Sequence, residues 1–344
     1  MSFRGCTKMS QAEVHRPQAG APFSMQTRGI ENFEELEHVV ENARTEVTQV
    51  DRGHLHGSLT HFLIGGLPLD LCTFSLGVRS RGVASEDRIT ISMLTGCSNR
   101  VTHWSYEMRP GDVFVWPAGA ERDARYFGGA TVAVISLARA DLESMLGSEL
   151  RLREPDAWIT NRYRPAICSG AATIHSLQNL VARLEAKGAS LSADAAEFWK
   201  RAIVEAMIAP IVERSSPDTD GPLSSALRIV TRVEEYLRAN ERRTVHISEI
   251  CSGLYVSRRT LHRAFHDVIG LGPSAFLRRK RLCSVHKTLR SSDPKLITVA
   301  DVAMQHGFSN LGRFSGDYRA LFDEYPSHTL VARLRGLGTN CTEL

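Results

Sequence analysis

A chain of 344 residues exceeds what one hydrophobic core usually organises, so two domains are the first expectation. With 42% hydrophobic and 23% charged residues the composition is that of a globular protein, which excludes a disordered or fibrous chain. No window holds the roughly 18 uninterrupted apolar residues of a membrane span, and the opening MSFRGCTKMSQAEVHRPQAG lacks the apolar stretch of a signal peptide, so a cytoplasmic protein is expected. The seven cysteines (Cys6, Cys72, Cys97, Cys168, Cys251, Cys283, Cys341) form no Cys-x-x-Cys pair, which argues against a disulfide scaffold or zinc finger. Net charge is only +4, yet from Pro222 onward there are 19 Lys and Arg against 11 Asp and Glu. A basic C-terminal third on a slightly acidic remainder suggests a nucleic-acid partner for that third alone.

Residues 1–25 read as a loose polar tail. From Val47 to Leu137 short apolar runs (LTHFLIGGL, LDLCTFSLGV, ITISML, DVFVWP, TVAVISL) are separated by turn-forming residues, the pattern of a small barrel or sandwich, assigned to 26–165. The period then changes. Ile174, Leu177, Val181 and Leu184 fall on one helical face, and a second helical stretch with Phe198, Trp199, Ile203 and Met207 runs up to Pro210. This helical pair, 166–212, is expected to bury its stripe against the barrel or to form a dimer seam. Glu213–Ser225 (ERSSPDTDGPLSS) reads as a linker.

Everything beyond is helical and repeats itself. Ile250 matches Val302, Cys251 matches Ala303 and Val256 matches Phe308; after one inserted residue Leu261/Phe314, Phe265/Tyr318, Ile269/Phe322, Pro273/Pro326 and Ser274/Ser327 continue the match. Each unit has the mechanics of a helix-turn-helix: a short first helix with a small residue at the close approach, a turn at Tyr255 or Gly307, and Ser257 or Ser309 placed to cap a second helix. On the first reader Leu261 and Phe265 anchor the core, which leaves Arg258, Arg259, His262, Arg263 and His266 for DNA. On the second, Phe314 and Tyr318 anchor, and Asn310, Arg313, Ser315 and Arg319 are the polar candidates; Asn310 could equally cap the helix. An arginine can bind guanine O6 and N7 together, worth about 1–3 kcal/mol of discrimination. Between the units PSAFLRRKRLCSVHKTLRSS reads as a helix with the basic cluster Arg278–Arg281, long enough with its flanking turns to hold the readers about 34 Å apart, one DNA turn.

The residues SRRTLHRAFHDVIGLGPSAFLRRKRL and VADVAMQHGFSNLGRFSGDYRALFDEYPS make residues 226–332 resemble the DNA-binding domain of AraC-type transcription regulators. Departures lie in the second unit, where Gly316, Gly312 and Glu324 stand at positions usually occupied in that family by arginine, serine and glycine. Two glycines within a reader weaken it by about 1 kcal/mol each, so the first unit is expected to dominate specificity. Residues 333–344 read as a C-terminal tail.

The resemblance implies an α+β two-domain chain: a cupin-like N-terminal β-barrel with appended helices, and an all-α tandem helix-turn-helix domain. It implies a sequence-specific activator that responds to a small molecule, with double-stranded DNA, an effector, RNA polymerase and a second copy of the chain as partners, and no membrane. The stretch MRPGDVFVWPAGAERDARYF is similar to the Pro-Gly-Asp turn and following strand of the sensor barrel. His56, Arg79, Trp104 and Trp116 are the candidate effector-pocket residues, weighed against core and surface roles. His54, His56, His61 and His103 lack the glutamate spacing of metal cupins, so no metal, no cofactor and no enzymatic activity are expected; a cupin-type metal enzyme fused to a helical interaction domain is the alternative.

Overall fold

The computed structural model describes residues 21–40, 43–104, 106–145, 162–163, 169–187, 191–212, 225–240 and 245–338. The expected linker 213–225, apart from Ser225, and nearly all of the expected N-terminal tail lie outside them. Strand β1 (Phe23–Ile30) begins inside the segment read as a tail. There follow a 3-10 helix at Phe33–His38 and strands β2 (Arg44–Gln49), β3 (Gly57–Ile64), β4 (Leu67–Phe74), β5 (Val78–Val83) and β6 (Arg88–Cys97). Next come β7 (Val101–His103), β8 (Tyr106–Met108), β9 (Val113–Trp116), β10 (Glu121–Tyr126), β11 (Ala130–Ala138), helix α1 (Arg139–Met145) and β12 (Arg162–Tyr163). They form two antiparallel sheets, one ordered β1-β3-β4-β11-β6-β9-β12 and the other β2-β5-β10-β7-β8.

Side chains alternate across a strand, so each strand of the larger sheet serves two cores. Ile91, Met93, Val113, Val115, Ala133 and Ile135 point outward, whereas Leu94, Phe114, Trp116 and Phe74 point between the sheets. Helices α2 (Ser169–Lys187) and α3 (Ala193–Val212) lie on the outward face. The stripe assigned to a dimer seam is spent there: Leu177, Val181 and Leu184 are buried against the sheet and α3, with Ile174 partly buried beside them. A second subunit could use this stripe only by uncovering the core of its own protomer, which corrects the seam expectation.

The C-terminal region comprises α4 (Ser225–Ala239), α5 (Ile247–Leu254), α6 (Arg258–Ile269), α7 (Pro273–Ser291), α8 (Val299–Gln305), α9 (Leu311–Phe322) and α10 (Pro326–Gly338). Pro273 sits in the first turn of α7, where its missing amide hydrogen costs nothing. The first unit closes a core of Val230, Val233, Ile250, Leu261, Phe265, Ile269 and Phe276, joined by Val50 from the end of β2. Among the described residues the second unit has no separate core: Val285, Leu289, Val302, Phe314, Tyr318 and Phe322 run through Phe33 into the apolar interior between the sheets. The two domains therefore share buried surface.

Candidate nucleic-acid interface

The two repeats realise the expected turn by different means. Gly307 takes φ +78°, which glycine tolerates freely, whereas Tyr255 holds φ +55° as a non-glycine and stays 94% exposed. Ser257 caps α6 by accepting from the Thr260 amide at 3.1 Å. In the second unit the cap is Asn310, which accepts from the Arg313 amide at 2.9 Å, so Ser309 does not play the capping role assigned to it.

On α6 the apolar positions Leu261, Ala264 and Phe265 are buried, and Ser257, Arg258, Arg259, His262, Arg263 and His266 are all exposed. Arg263 lies 4.0 Å from Asp267; Arg258 and Arg259 have no ion-pair partner among the described residues. The α9 surface is more encumbered. The Asn310 oxygen is occupied by the cap, Arg319 donates to the Tyr325 hydroxyl at 2.7 Å and lies over its ring, and Ser315 is half-buried. Arg313, 4.0 Å from Asp317, is the freest cation of this helix. The basic cluster on α7 is half-buried and partly engaged within the protein: Arg278 pairs with Asp317 at 2.9 Å, Lys280 with Glu46 at 2.9 Å, and Arg281 lies over the Phe308 ring.

The outer face of the smaller sheet holds the first unit and α7. Register places Glu46 opposite Arg81 and Asp123 opposite Arg81 on the next strand, and sets Arg125 and Thr48 opposite Arg79, so these six share one face. That face reads as solvated in sequence, yet Arg79 is 2% exposed. Its guanidinium donates to Asp123 (2.7 and 3.1 Å) and to Glu234 of α4 (2.8 and 3.1 Å). Arg81 adds a bond to Glu234 at 2.8 Å and a contact to Asp123 at 3.2 Å. Burial opposes the Arg79 charge, but the attraction of Glu234 and Asp123 outweighs it and holds the group protonated beyond its usual range. Arg79 is thus engaged by two carboxylates and is not available to an effector, a correction to the pocket expected around it.

The same sheet reaches the readers themselves at their C-terminal ends. Arg125 Nε donates to the Ile269 carbonyl at 3.0 Å, where α6 stops, and Gln49 Nε2 donates to the Leu321 carbonyl at 2.9 Å, where α9 stops. Between them His286 of α7, itself buried, bridges Glu34 (2.6 Å) and Glu324 (3.2 Å). Burial works against its charge, but bonds to Glu324 and Glu34 raise its pKa above the ordinary value. Helix-turn-helix readers meet base edges with their N-terminal residues; here those ends are exposed while the opposite ends are gripped.

Of the remaining pocket candidates, His56 is exposed, its ring nitrogen 3.4 Å from the His54 carbonyl. Trp116 is buried between the sheets, and Trp104, at φ +53°, packs partly buried against the same core. His61 pairs with Asp70 at 2.7 Å and His103 lies in the interior, so the histidines do not converge; among the described residues no three His, Cys, Asp or Glu side chains gather to hold a metal ion. Sequence reasoning missed Arg122, whose guanidinium stacks over the Trp116 ring at 4.6 Å. Its signal was the alternation in ERDARY, which sends Arg122 and Tyr126 to one face of β10 and Asp123 and Arg125 to the other.

A helix-turn-helix domain model matches residues 250–331. The XylDLEGF operon transcriptional activator 1 of Pseudomonas putida is 25% identical over 289 residues, 81% of this chain and 85% of that protein. Among solved structures, a probable AraC family transcriptional regulator from Rhodopseudomonas palustris CGA009 is 39% identical over 31% of this chain and 97% of its own (TM-score 0.29). The AraC-like transcriptional activator CuxR is 16% identical over 76% of this chain and 94% of its own (TM-score 0.40). Among the described residues no helix is long and apolar enough to cross a membrane. With two capped reader helices in tandem, a matching domain model and a transcriptional activator aligned across both domains, the chain is a DNA-binding transcription regulator whose C-terminal region carries a helix-turn-helix domain of the AraC type.

Proposed function

We propose that this regulator is a cytoplasmic, effector-responsive activator without enzymatic activity, in which the β domain sets the presentation of both readers to DNA. The observation that carries the reading is the placement of the grip: the smaller sheet holds the C-terminal ends of α6 and α9, through Arg125 on one face and Gln49 at the end of β2, and leaves their N-terminal residues exposed. Arg258, Arg259, His262, Arg263 and His266 on α6, with the Ser257 cap, supply most base and phosphate contacts; Asn310, Arg313, Ser315 and Arg319 on α9 supply fewer. The helix α7 between them has 19 residues, about 28 Å of rise. With its flanking turns that suits readers in successive major grooves. A small-molecule effector, RNA polymerase and a second copy of the chain are the partners of this reading, the last through a face other than the α2 stripe. Selection of bound sequences from random duplex DNA tests it. Two short elements about one turn apart should be enriched, the better defined one depending on Arg259; no enrichment at low salt would overturn it.

A further inference from the structure

The last carbonyls of a helix find no N–H donor within their own helix, and on both readers the β domain supplies donors instead. On α6 the Asp267 carbonyl accepts from the Arg100 guanidinium at 3.3 Å and the Ile269 carbonyl from Arg125 Nε at 3.0 Å. On α9 the Leu321 carbonyl accepts from Gln49 Nε2 at 2.9 Å and from the Gly53 amide at 3.0 Å. Each helix then stops on a left-handed residue, Gly270 (φ +81°) or Asp323 (φ +58°). One device thus holds the same end of both repeats.

At α6 the grip includes Phe127. Both guanidinium groups lie over its ring, Arg100 at 4.2 Å and Arg125 at 4.3 Å from the centre. The ring packs so closely on the end of α6 that a Cβ at Gly270 would fall 3.0 Å from it. The Phe127 amide donates to the Arg100 carbonyl at 2.9 Å, one step beyond the pairing of β10 with β7. At α9 the holding turn is fixed as well, since the Val50 and Asp51 amides both donate to the Gly77 carbonyl, at 2.9 and 3.0 Å. The two grips therefore rise from one sheet, ordered β2-β5-β10-β7-β8.

Within the DNA-binding domain the two units are joined through α7. Phe276 and Leu277 belong to the core of the first unit, whereas Leu282, Cys283, Val285 and Leu289 pack with the second, so the units hold separate stretches of that helix. A long helix bends. A sheet that holds both readers by their ends takes that freedom away.

We propose that Arg100, Phe127 and Arg125, acting against Gln49, determine which spacing between two DNA elements this regulator accepts. The inference deepens the two-reader reading above and rests on it. These are positioning residues, which act on DNA through α6 and α9. Each base pair added between the elements shifts one of them by about 3.4 Å and turns it by about 35° around the duplex axis. Readers braced at both ends do not follow that displacement.

The test titrates the full chain against a duplex carrying both selected elements, duplexes with one base pair inserted or deleted between them, and a duplex with the second element scrambled. The wild type should lose about tenfold or more in affinity at either altered spacing, as much as one wrong base pair costs. Phe127→Ala, its fold checked by circular dichroism, should cut that penalty to about threefold while affinity at the selected spacing changes little. Phe127→Tyr, which keeps the ring under the guanidinium groups, should restore the full penalty. Arg100→Ala removes only an exposed side chain and should give an intermediate penalty, so the ratio remains measurable even where Phe127→Ala fails to fold. A merely structural role lowers affinity at every spacing by one factor and leaves the ratio unchanged. That result overturns the proposal, as does a wild type that binds all spacings equally. If scrambling the second element costs no affinity, the two-reader reading itself falls.

Discussion

Arg79 shows how one side chain can be misread from its neighbours in sequence. In VRSRGV it alternates with small residues as a solvated strand face would, yet it is the largest fully buried side chain among the described residues. Removing one partner from a buried ionic network strands the others, at a cost of about 3–5 kcal/mol. Arg79→Met leaves Asp123 and Glu234 to Arg81 alone, so chemical denaturation should show a loss near the lower end of that range; an unchanged midpoint would mean that solvent already screens the network. Tyr255 poses the opposite case. It holds a left-handed conformation with its side chain in solvent, so Tyr255→Gly relieves strain and removes no contact. The greater freedom of glycine in the unfolded chain offsets part of the relief, and thermal melting should report a gain of about 0.5–1 kcal/mol.

At the scale of elements, α6 and α9 are the same device built with different care. Gly316 on the exposed surface of α9 has nothing within 4 Å of the position a Cβ would take. Gly316→Ala should therefore stabilise the domain by about 1 kcal/mol through helix propensity alone. Gly316→Arg should in addition tighten DNA binding and steepen its salt dependence. Arg259→Ala on α6 should cost much more sequence-specific affinity than Ser315→Ala on the half-buried side of α9; equal losses in titrations at one salt concentration would contradict that ranking. What could be read before the fold was known follows the strength of each period. The repeat from Ile250 to Ser327 was legible because matched apolar anchors recur at fixed offsets, and the strand runs of the β domain because apolar clusters alternate with turns. The α2 stripe was legible as buried but not as to its partner, since Leu177 and Leu184 look the same against a sheet as against a second subunit. The docking face was not legible at all. Glu46, Arg79, Arg81, Asp123 and Arg125 are charged at alternate positions, the ordinary mark of a wet face, and only the pairing of β2, β5 and β10 shows that their charges are mutually neutralising and covered by α4, α6 and α7.

For the whole molecule the decisive feature is that the β domain and the DNA-binding domain are joined by buried polar bonds as well as by apolar surface, which makes their union sensitive to protonation. His286 is the group placed to feel it. From its own helix α7 it is neighboured by Cys283, Lys287 and Arg290; from the 3-10 helix Glu34 bonds one ring nitrogen and Phe33 packs on the ring; from α9 and the turn after it come Tyr318, Phe322 and Glu324, the last bonding the other nitrogen. Two carboxylates on one imidazole favour the cation over the cost of burying it, so the folded pKa lies above the unfolded value. For a base raised in this way the stabilisation is complete below the unfolded pKa of about 6.5 and is lost as pH rises through the folded pKa. The melting temperature should accordingly fall as pH rises above that unfolded value. His286→Gln, which keeps a donor and loses the charge, should flatten the slope and lower stability in mildly acidic buffer, where the wild-type imidazolium is fully formed. Because Glu34 belongs to the β domain and Glu324 to the second helix-turn-helix unit, the same variant should also speed amide exchange in the 3-10 helix and around Glu324 together. If the slope persists in His286→Gln, or if only one of those two segments loosens, the histidine does not join the domains and the pH response arises elsewhere.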